Sequence, residues 1–226
     1  MKTLAIIPAY NEEESIVATV EELMSIAPEI DFVIINDGST DNTRDICLEK
    51  FYPLIDLPVN LGLAGGFQTG MKYALRNGYD CAVQFDADGQ HDPSFIRSMV
   101  EQMEKTEANI VIASRFLEKK KHFSSRMIGS TLISFMIKLT TGKTIFDPTS
   151  GMRLFDRDVI ERLAKGHDFP PEPDTVAYLL RQGLKVSEIQ VSMRERTAGE
   201  SYLSFTRSAS YMLRTCISIL LVQWFR

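Results

Sequence analysis

Val83-Gln84-Phe85-Asp86-Ala87-Asp88-Gly89-Gln90-His91-Asp92-Pro93 is an apolar run that stops at two carboxylates spaced two residues apart. In an extended segment, residues so spaced point to the same side, so Asp86 and Asp88 can face one cation or one ligand from a strand end. Gly89 allows the chain to turn with positive φ, and Asp92-Pro93 offers a helix cap followed by proline at the first helical position. The stretch therefore predicts a strand, an acidic turn and a helix, with a site at the carboxyl end of the strand.

The same rhythm runs through the first half of the chain. Leu4 to Ile7 is apolar and ends at Pro8, after which Asn11 is expected to cap a helix with Ile16, Val17, Val20, Leu23 and Met24 at helical spacing. Phe32 to Asn36 is a second strand, broken by Asp37-Gly38-Ser39 before a helix over 41–50. Leu57-Pro58-Val59 is a weaker strand candidate, and Gly62 to Arg76 a helix closed by Asn77-Gly78. Pro93 to Lys105 is the next helix and Ile110 to Ala113 another strand. Repeated βα units with nearly continuous apolar strands predict a mostly parallel sheet covered by helices on both faces. Ligands of such sheets bind outside the carboxyl ends of the strands, where Tyr10-Asn11, Asp37-Gly38 and Asp86-Ala87-Asp88 would meet.

After Arg115 the pattern loosens. Lys119 to His122 is a basic loop, 127–139 an apolar helix, and Phe146 to Gly151 a dense turn cluster. Segments 156–163 and 174–182 read as helices, 184–193 as a strand, and 202–225 as a long helix rich in aliphatic and aromatic residues. With 226 residues, 44% hydrophobic and 24% charged, the chain has the composition of one large α/β domain. A formal charge of −5 argues against a general nucleic-acid binder. Cys47, Cys81 and Cys216 are too few and scattered for a disulfide framework or a zinc site, and read as buried thiols of a reducing compartment. Pro8 and Glu12 to Glu14 cut the first apolar run short of a signal peptide. No P-loop spacing occurs, and Gly62 to Gly66 lacks the dinucleotide spacing.

Hard cations such as Mg²⁺ or Mn²⁺ take carboxylate oxygens and keep positions for substrate phosphates, so an ion bridging a diphosphate suits the acidic turn. A second set is Arg115, Arg126 and Ser130. Arg126 and Ser130 lie four residues apart on one face of a predicted helix, and two guanidiniums with a hydroxyl suit a phosphate.

In combination, Ile7-Pro8-Ala9-Tyr10-Asn11-Glu12-Glu13, Asn36-Asp37-Gly38-Ser39-Thr40-Asp41, Asn60-Leu61-Gly62 and Asp86-Ala87-Asp88-Gly89-Gln90-His91 resemble family 2 glycosyltransferases with the GT-A fold. Asp147-Pro148-Thr149-Ser150-Gly151 and Arg196-Thr197-Ala198-Gly199-Glu200-Ser201 look like the branch of dolichyl-phosphate mannose synthase and bacterial polyprenyl-phosphate glucosyltransferases. The resemblance covers essentially the whole chain. It implies a GT-A, Rossmann-like, mostly parallel sheet flanked by helices, with a C-terminal amphipathic helix. Residues 1–226 would be one catalytic domain, comprising a nucleotide-sugar half (1–115), an acceptor half (116–200) and an interfacial helix (201–226).

By position, the resemblance implies that Pro8, Tyr10, Glu12 and Asp37 contact the nucleoside. Asp86 would hold the ribose or diphosphate, and Asp88 with Gln90 a Mg²⁺ or Mn²⁺ ion. It places the acceptor phosphate on Arg115, Arg126 and Ser130, the donor sugar by Asp147, and Arg194 and Arg196 on a segment closing over the donor diphosphate. His91 is a supporting residue of the acidic turn and His167 a surface loop residue. The implied enzyme is an inverting hexosyltransferase moving a hexose, expected to be glucose from UDP-glucose with GDP-mannose as the other nucleotide sugar, to a polyprenyl phosphate such as undecaprenyl phosphate, for cell-surface polysaccharide. A transferase to a glycan hydroxyl and a non-catalytic sugar-nucleotide-binding protein remain as alternatives. The expected setting is the cytoplasm, peripheral at the inner face of the membrane, with Trp224 and the Lys119 to His122 loop at the lipid. The last helix serves equally well against the protein's own core or in a homodimer.

Overall fold

The computed structural model describes residues 1–117, 125–166, 169–192, 194 and 205–221, and the backbone alone at helical residues 125, 126, 128 and 205–209. Its first half alternates β1 (Thr3–Ala9), α1 (Ile16–Ile26), β2 (Asp31–Asn36), α2 (Thr43–Glu49), β3 (Leu54–Asp56), α3 (Gly62–Arg76), β4 (Cys81–Gln84), α4 (Ser94–Thr106) and β5 (Ile110–Ser114). The second half comprises α5 (Ser125–Thr141), β6 (Arg153–Asp156), α6 (Arg157–Lys165), α7 (Pro173–Arg181), β7 (Val186–Gln190) and α8 (Phe205–Leu220). The strands form one seven-stranded sheet in the order β3-β2-β1-β4-β6-β5-β7. Only β6 runs against its neighbours, pairing antiparallel with both β4 and β5.

Side chains alternate between the two faces of the sheet, as the pleat requires. Leu4, Ile6, Val33, Ile35, Ile110, Ile112 and Phe155 enter one core with α3, α5, α6, α7 and α8. Ala5, Ile7, Ile34, Val83, Val111, Ala113 and Leu154 enter the other with α1, α2 and α4. Burial on both faces explains why the strands read as continuous apolar runs. Within the first core, the Phe67 and Phe155 rings meet edge-on at 5.5 Å, a geometry that adds roughly 0.5–1.5 kcal/mol beyond the area it buries. All three cysteines are buried and free, and burial pushes the Cys47 and Cys81 thiols up to about 11, in keeping with packing residues.

Four readings of the sequence change. The third strand is Leu54–Asp56 rather than 57–59, because Pro58 has no N–H to give a ladder. Helix α1 begins at Ile16, not at Asn11: Asn11 adopts φ 57° and its Oδ1 accepts from Thr40 N at 2.8 Å, tying the β1 end to the β2 end. Strand β6 was hidden in a four-residue segment, Arg-Leu-Phe-Asp, between a turn cluster and a helix. Its antiparallel direction brings its beginning, not its end, to the carboxyl edge of the other strands. Met24, expected on the buried face of α1, is 50% exposed, while Thr19 is buried.

Candidate active site

The strand order reverses direction of growth between β1 and β4, so the loops after these strands diverge and leave a crevice. Registers place Ala9 beside Asn36, Ile6 beside Gln84 and Ser114 beside Gln190. The ends of β1, β2, β4, β5 and β7 and the start of β6 therefore share one edge.

On the β1–β2 side, Asp37 is buried; its N–H reaches Ala9 O at 2.9 Å and its Oδ1 accepts from Leu61 N at 2.7 Å. Gly38 follows with φ 66°, and a Cβ there would lie 2.7 Å from Asn60 N, so this turn requires glycine. Pro8 is half-buried in β1 and Tyr10 is 38% exposed beyond it. Glu12 sits at the β1–α1 connection, its N–H given to Thr43 Oγ1 at 2.8 Å and its Oε2 accepting from Ser15 Oγ at 2.6 Å.

After β4, the acidic turn is fixed at successive positions. Asp86 N donates to His91 Nδ1 at 2.9 Å, so the neutral ring carries its proton on Nε2, which faces Asp86 Oδ2 at 3.5 Å. His91 is buried and packs edge-on against Phe85, whereas the Asp86 side chain is 34% exposed. Asp88 is buried and its Oδ1 accepts from Gln90 N at 3.0 Å. Asp92 accepts from Ser94 N at 2.9 Å ahead of α4, whose cap position falls on Pro93, one residue later than the sequence suggests. Gly151, at the start of β6, closes on this turn: a Cβ there would stand 3.1 Å from Asp86 Oδ2 and 3.4 Å from His91 Nε2.

Arg115, at the β5 end, forms a two-pronged ion pair with Asp147, Nε to Oδ2 at 2.7 Å and Nη2 to Oδ1 at 2.8 Å. Its backbone N–H also donates to Asp147 Oδ2 at 3.0 Å, and Nη2 reaches Thr149 Oγ1 at 3.1 Å. Burial alone would push the Asp147 carboxyl up; hydrogen bonds and charge from Arg115 outweigh it and hold the carboxyl below its ordinary value. The Asp147 side chain is fully buried and both of its oxygens accept from Arg115, a pairing that the motif does not announce.

Two residues with no motif to announce them hold the same loop. Glu188 on β7 accepts from Phe146 N at 2.8 Å and Asp147 N at 2.9 Å; burial raises its pKa. Arg153 on β6 is fully buried and gives Nη2 to Pro148 O at 2.8 Å, while its Nε has no partner among the described residues. Burial pulls the Arg153 pKa down. Neither was legible beforehand, since an isolated Glu in an alternating strand and an Arg after a turn read as solvent-facing charges.

Arg194 lies beside the acidic turn. Its N–H donates to Gln90 O at 3.2 Å and its guanidinium pairs with Glu22 at 2.5 Å and Asp92 at 3.0 Å, so it braces the acidic turn against α1. Ser130 is buried on α5. The Arg126 side chain, Arg196, His167, Trp224 and the Lys119 to His122 loop lie outside the described residues. A cavity of about 620 Å³ opens between α7, α8 and the start of α3, its wall including Glu172, Asp174, Tyr211, Arg214 and Ser218. Tyr211 donates to Glu172 and Ser218 to Asp174. Burial raises the Glu172 pKa.

Among the described residues, no three His, Cys, Asp or Glu side chains cluster to hold a metal by themselves. Asp86 and Asp88 offer hard oxygen donors without thiolate. That set fits an ion of the Mg²⁺ or Mn²⁺ class, which binds through one or two carboxylates and completes its shell with substrate phosphates and water.

The fold, with its switch-point crevice and acidic turn, is that of a GT-A glycosyltransferase. A mannosyltransferase from Pyrobaculum calidifontis, solved with GDP-mannose and Mn²⁺, superposes with a TM-score of 0.70 at 16% identity, over 98% of this chain and 64% of that one. Glucosyl-3-phosphoglycerate synthase from Mycobacterium tuberculosis, solved with Mn²⁺, UDP-glucose and phosphoglyceric acid, gives 0.73 at 17% identity, over 98% and 79%. The family profile Glycosyl transferase family 2 matches residues 4–164. An undecaprenyl-phosphate mannosyltransferase of Micrococcus luteus is 30% identical over 90% of this chain and 88% of its own length. A polyprenol monophosphomannose synthase of Mycolicibacterium smegmatis is 27% identical over 90% and 81%. The chain belongs to glycosyl transferase family 2.

Proposed function

We propose that this glycosyltransferase moves a hexose from a nucleoside diphosphate sugar to a polyprenyl phosphate, with Mg²⁺ or Mn²⁺ at the acidic turn. One observation carries the reading. Along a single sheet edge, an acidic turn suited to a metal-bridged diphosphate stands two strands from a strand end bearing Arg115. The names of the relatives support a polyprenyl phosphate acceptor. Glucose from UDP-glucose and mannose from GDP-mannose both remain as donors.

In this reading Asp37 and the Leu61 loop take the nucleoside, with Pro8, Tyr10 and Glu12 beside it. Asp86 and Asp88, with Gln90, would hold the cation, which neutralises the departing diphosphate. A phosphomonoester has a second pKa of about 6 and reaches the site largely dianionic, so no side chain has to remove a proton. Its oxygen bonds to the anomeric carbon as the bond from that carbon to the diphosphate breaks. Asp147, fully buried and ion-paired, is unsuited to serve as a base, which agrees with such an acceptor. Asp147 takes up the charge of Arg115, so a further cation of the acceptor clamp would come from Arg126 together with Ser130, and Arg196 is assigned to the donor.

No helix among the described residues is long and apolar enough to cross a membrane. Leu132, Phe135 and Leu139 on α5, Leu213 and Ile217 on α8 and Leu221 just after it nevertheless stay exposed, with Lys138 on α5 and Arg214 on α8 exposed among them. Such faces support peripheral docking on the anionic cytoplasmic leaflet. The test is acceptor choice by wild type and Arg126→Ala. The variant should lose transfer to a short-chain polyprenyl phosphate while binding UDP or GDP as before; transfer to oligosaccharide alone would overturn the reading.

A further inference from the structure

The buried residues of α1 are Ile16, Thr19, Val20 and Leu23, one face of the helix. Three are aliphatic and pack in the core under β1 and β4. Thr19 is the exception, 4% exposed in that stripe. A hydroxyl buried without a partner would cost about 1–3 kcal/mol, so its partner matters. That partner is the carbonyl of Ala87, with Thr19 Oγ1 donating at 2.9 Å across 68 positions of sequence. Ala87 is itself 3% exposed, which keeps bulk water from replacing the hydroxyl.

The place of this bond gives it a role. Ala87 separates the two aspartates, and its carbonyl belongs to the peptide linking it to Asp88. On one side of it, His91 accepts the N–H of Asp86; on the other, Gln90 N–H holds Asp88 Oδ1 and Arg194 N–H holds Gln90 O. Thr19 is the one of these contacts that comes from the helix beneath the turn. Rotating the Ala87 peptide would change the angle between the Asp86 and Asp88 side chains, and the hydroxyl opposes that rotation.

We propose that Thr19 is a positioning residue of the acidic turn, fixing the Ala87 peptide so that Asp86 and Asp88 are presented together to a divalent cation and a diphosphate. The inference rests on the acidic turn being the metal and diphosphate site. Groups that orient metal ligands from behind typically govern affinity by 10–100-fold.

Thr19→Val keeps the shape and removes the donor; Thr19→Ser restores it. Mn²⁺ binding is read by electron paramagnetic resonance with UDP or GDP present, and amide exchange is followed over 86–90. Thr19→Val should weaken Mn²⁺ binding about tenfold and speed exchange in that segment, and Thr19→Ser should stay within about threefold of wild type. Equal Mn²⁺ affinity in Thr19→Val and wild type, or a Thr19→Ser as weak as Thr19→Val, overturns the proposal. If Thr19→Val does not fold, Thr19→Ala against Thr19→Ser carries the same comparison. Asp88→Asn is the control: if it binds Mn²⁺ as wild type does, the reading of the acidic turn falls and the proposal with it.

Discussion

Arg115 holds Asp147 with both prongs of its guanidinium while the carboxylate is fully buried, so the arginine at the end of β5 is locked by a partner 32 positions away. Removing one member of a buried pair strands the other charge, at a cost on the order of 3 kcal/mol. Arg115→Met should lower stability by about that amount at neutral pH, measured by denaturant unfolding.

The pair also sets a pH dependence. The folded pKa of Asp147 lies below its unfolded value, so its contribution is present above the unfolded pKa of about 3.9 and is lost as pH falls through the lower folded value. In Arg115→Met, burial without the guanidinium raises the Asp147 carboxyl, so the stability difference should be largest at neutral pH or above, shrink as the variant's carboxyl takes up a proton on acidification, and shrink further as pH falls through the lower wild-type value. A difference that instead grows on acidification would contradict the assignment.

His91 supports Asp86 by accepting its N–H, and asparagine can place an acceptor near the same point as Nδ1. His91→Ala should cost about 1–3 kcal/mol through the orphaned N–H, and His91→Asn should recover part of it. Equal unfolding midpoints for the two variants would count against this role.

Gly151 lies against the same pair. Gly151→Ala would put a methyl 3.1 Å from Asp86 Oδ2, so the carboxylate has to give way. Sugar transfer should fall about tenfold in kcat/KM, equivalent to about 1.4 kcal/mol, with a smaller effect on thermal stability.

Much of this was legible in the sequence, and the reasons are physical. Strands buried on both faces show as continuous apolar runs, and the three polar strand ends at Tyr10, Asp37 and Asp86 announce the working edge. What escaped was short or reversed. Strand β6 has four residues and no alternation to mark it, and its reversed direction decides that Gly151 rather than Asp156 meets Asp86. The partners of the site were hidden for another reason: Thr19, Glu188 and Arg153 act through backbone atoms distant in sequence, and no spacing within one element records such a contact. Asp147 was found by its motif, but its burial and its pairing with Arg115 are tertiary properties.

Asp88→Asn tests the acidic turn itself. Losing one anionic oxygen ligand of the proposed cation, which would stabilise the charge developing on the departing diphosphate, should lower kcat by about 10²–10³ while leaving the fold intact by circular dichroism. Unchanged transfer would move the cation site elsewhere.

The proposed acceptor is a lipid phosphate. The direct measurement is incubation of the purified protein with a short-chain polyprenyl phosphate, Mg²⁺ or Mn²⁺, and labelled UDP-glucose or GDP-mannose, followed by mass spectrometry of the lipid. The predicted result is one hexose joined through its anomeric carbon to the lipid phosphate oxygen. An unmodified lipid together with a glycosylated oligosaccharide in a parallel reaction would contradict it.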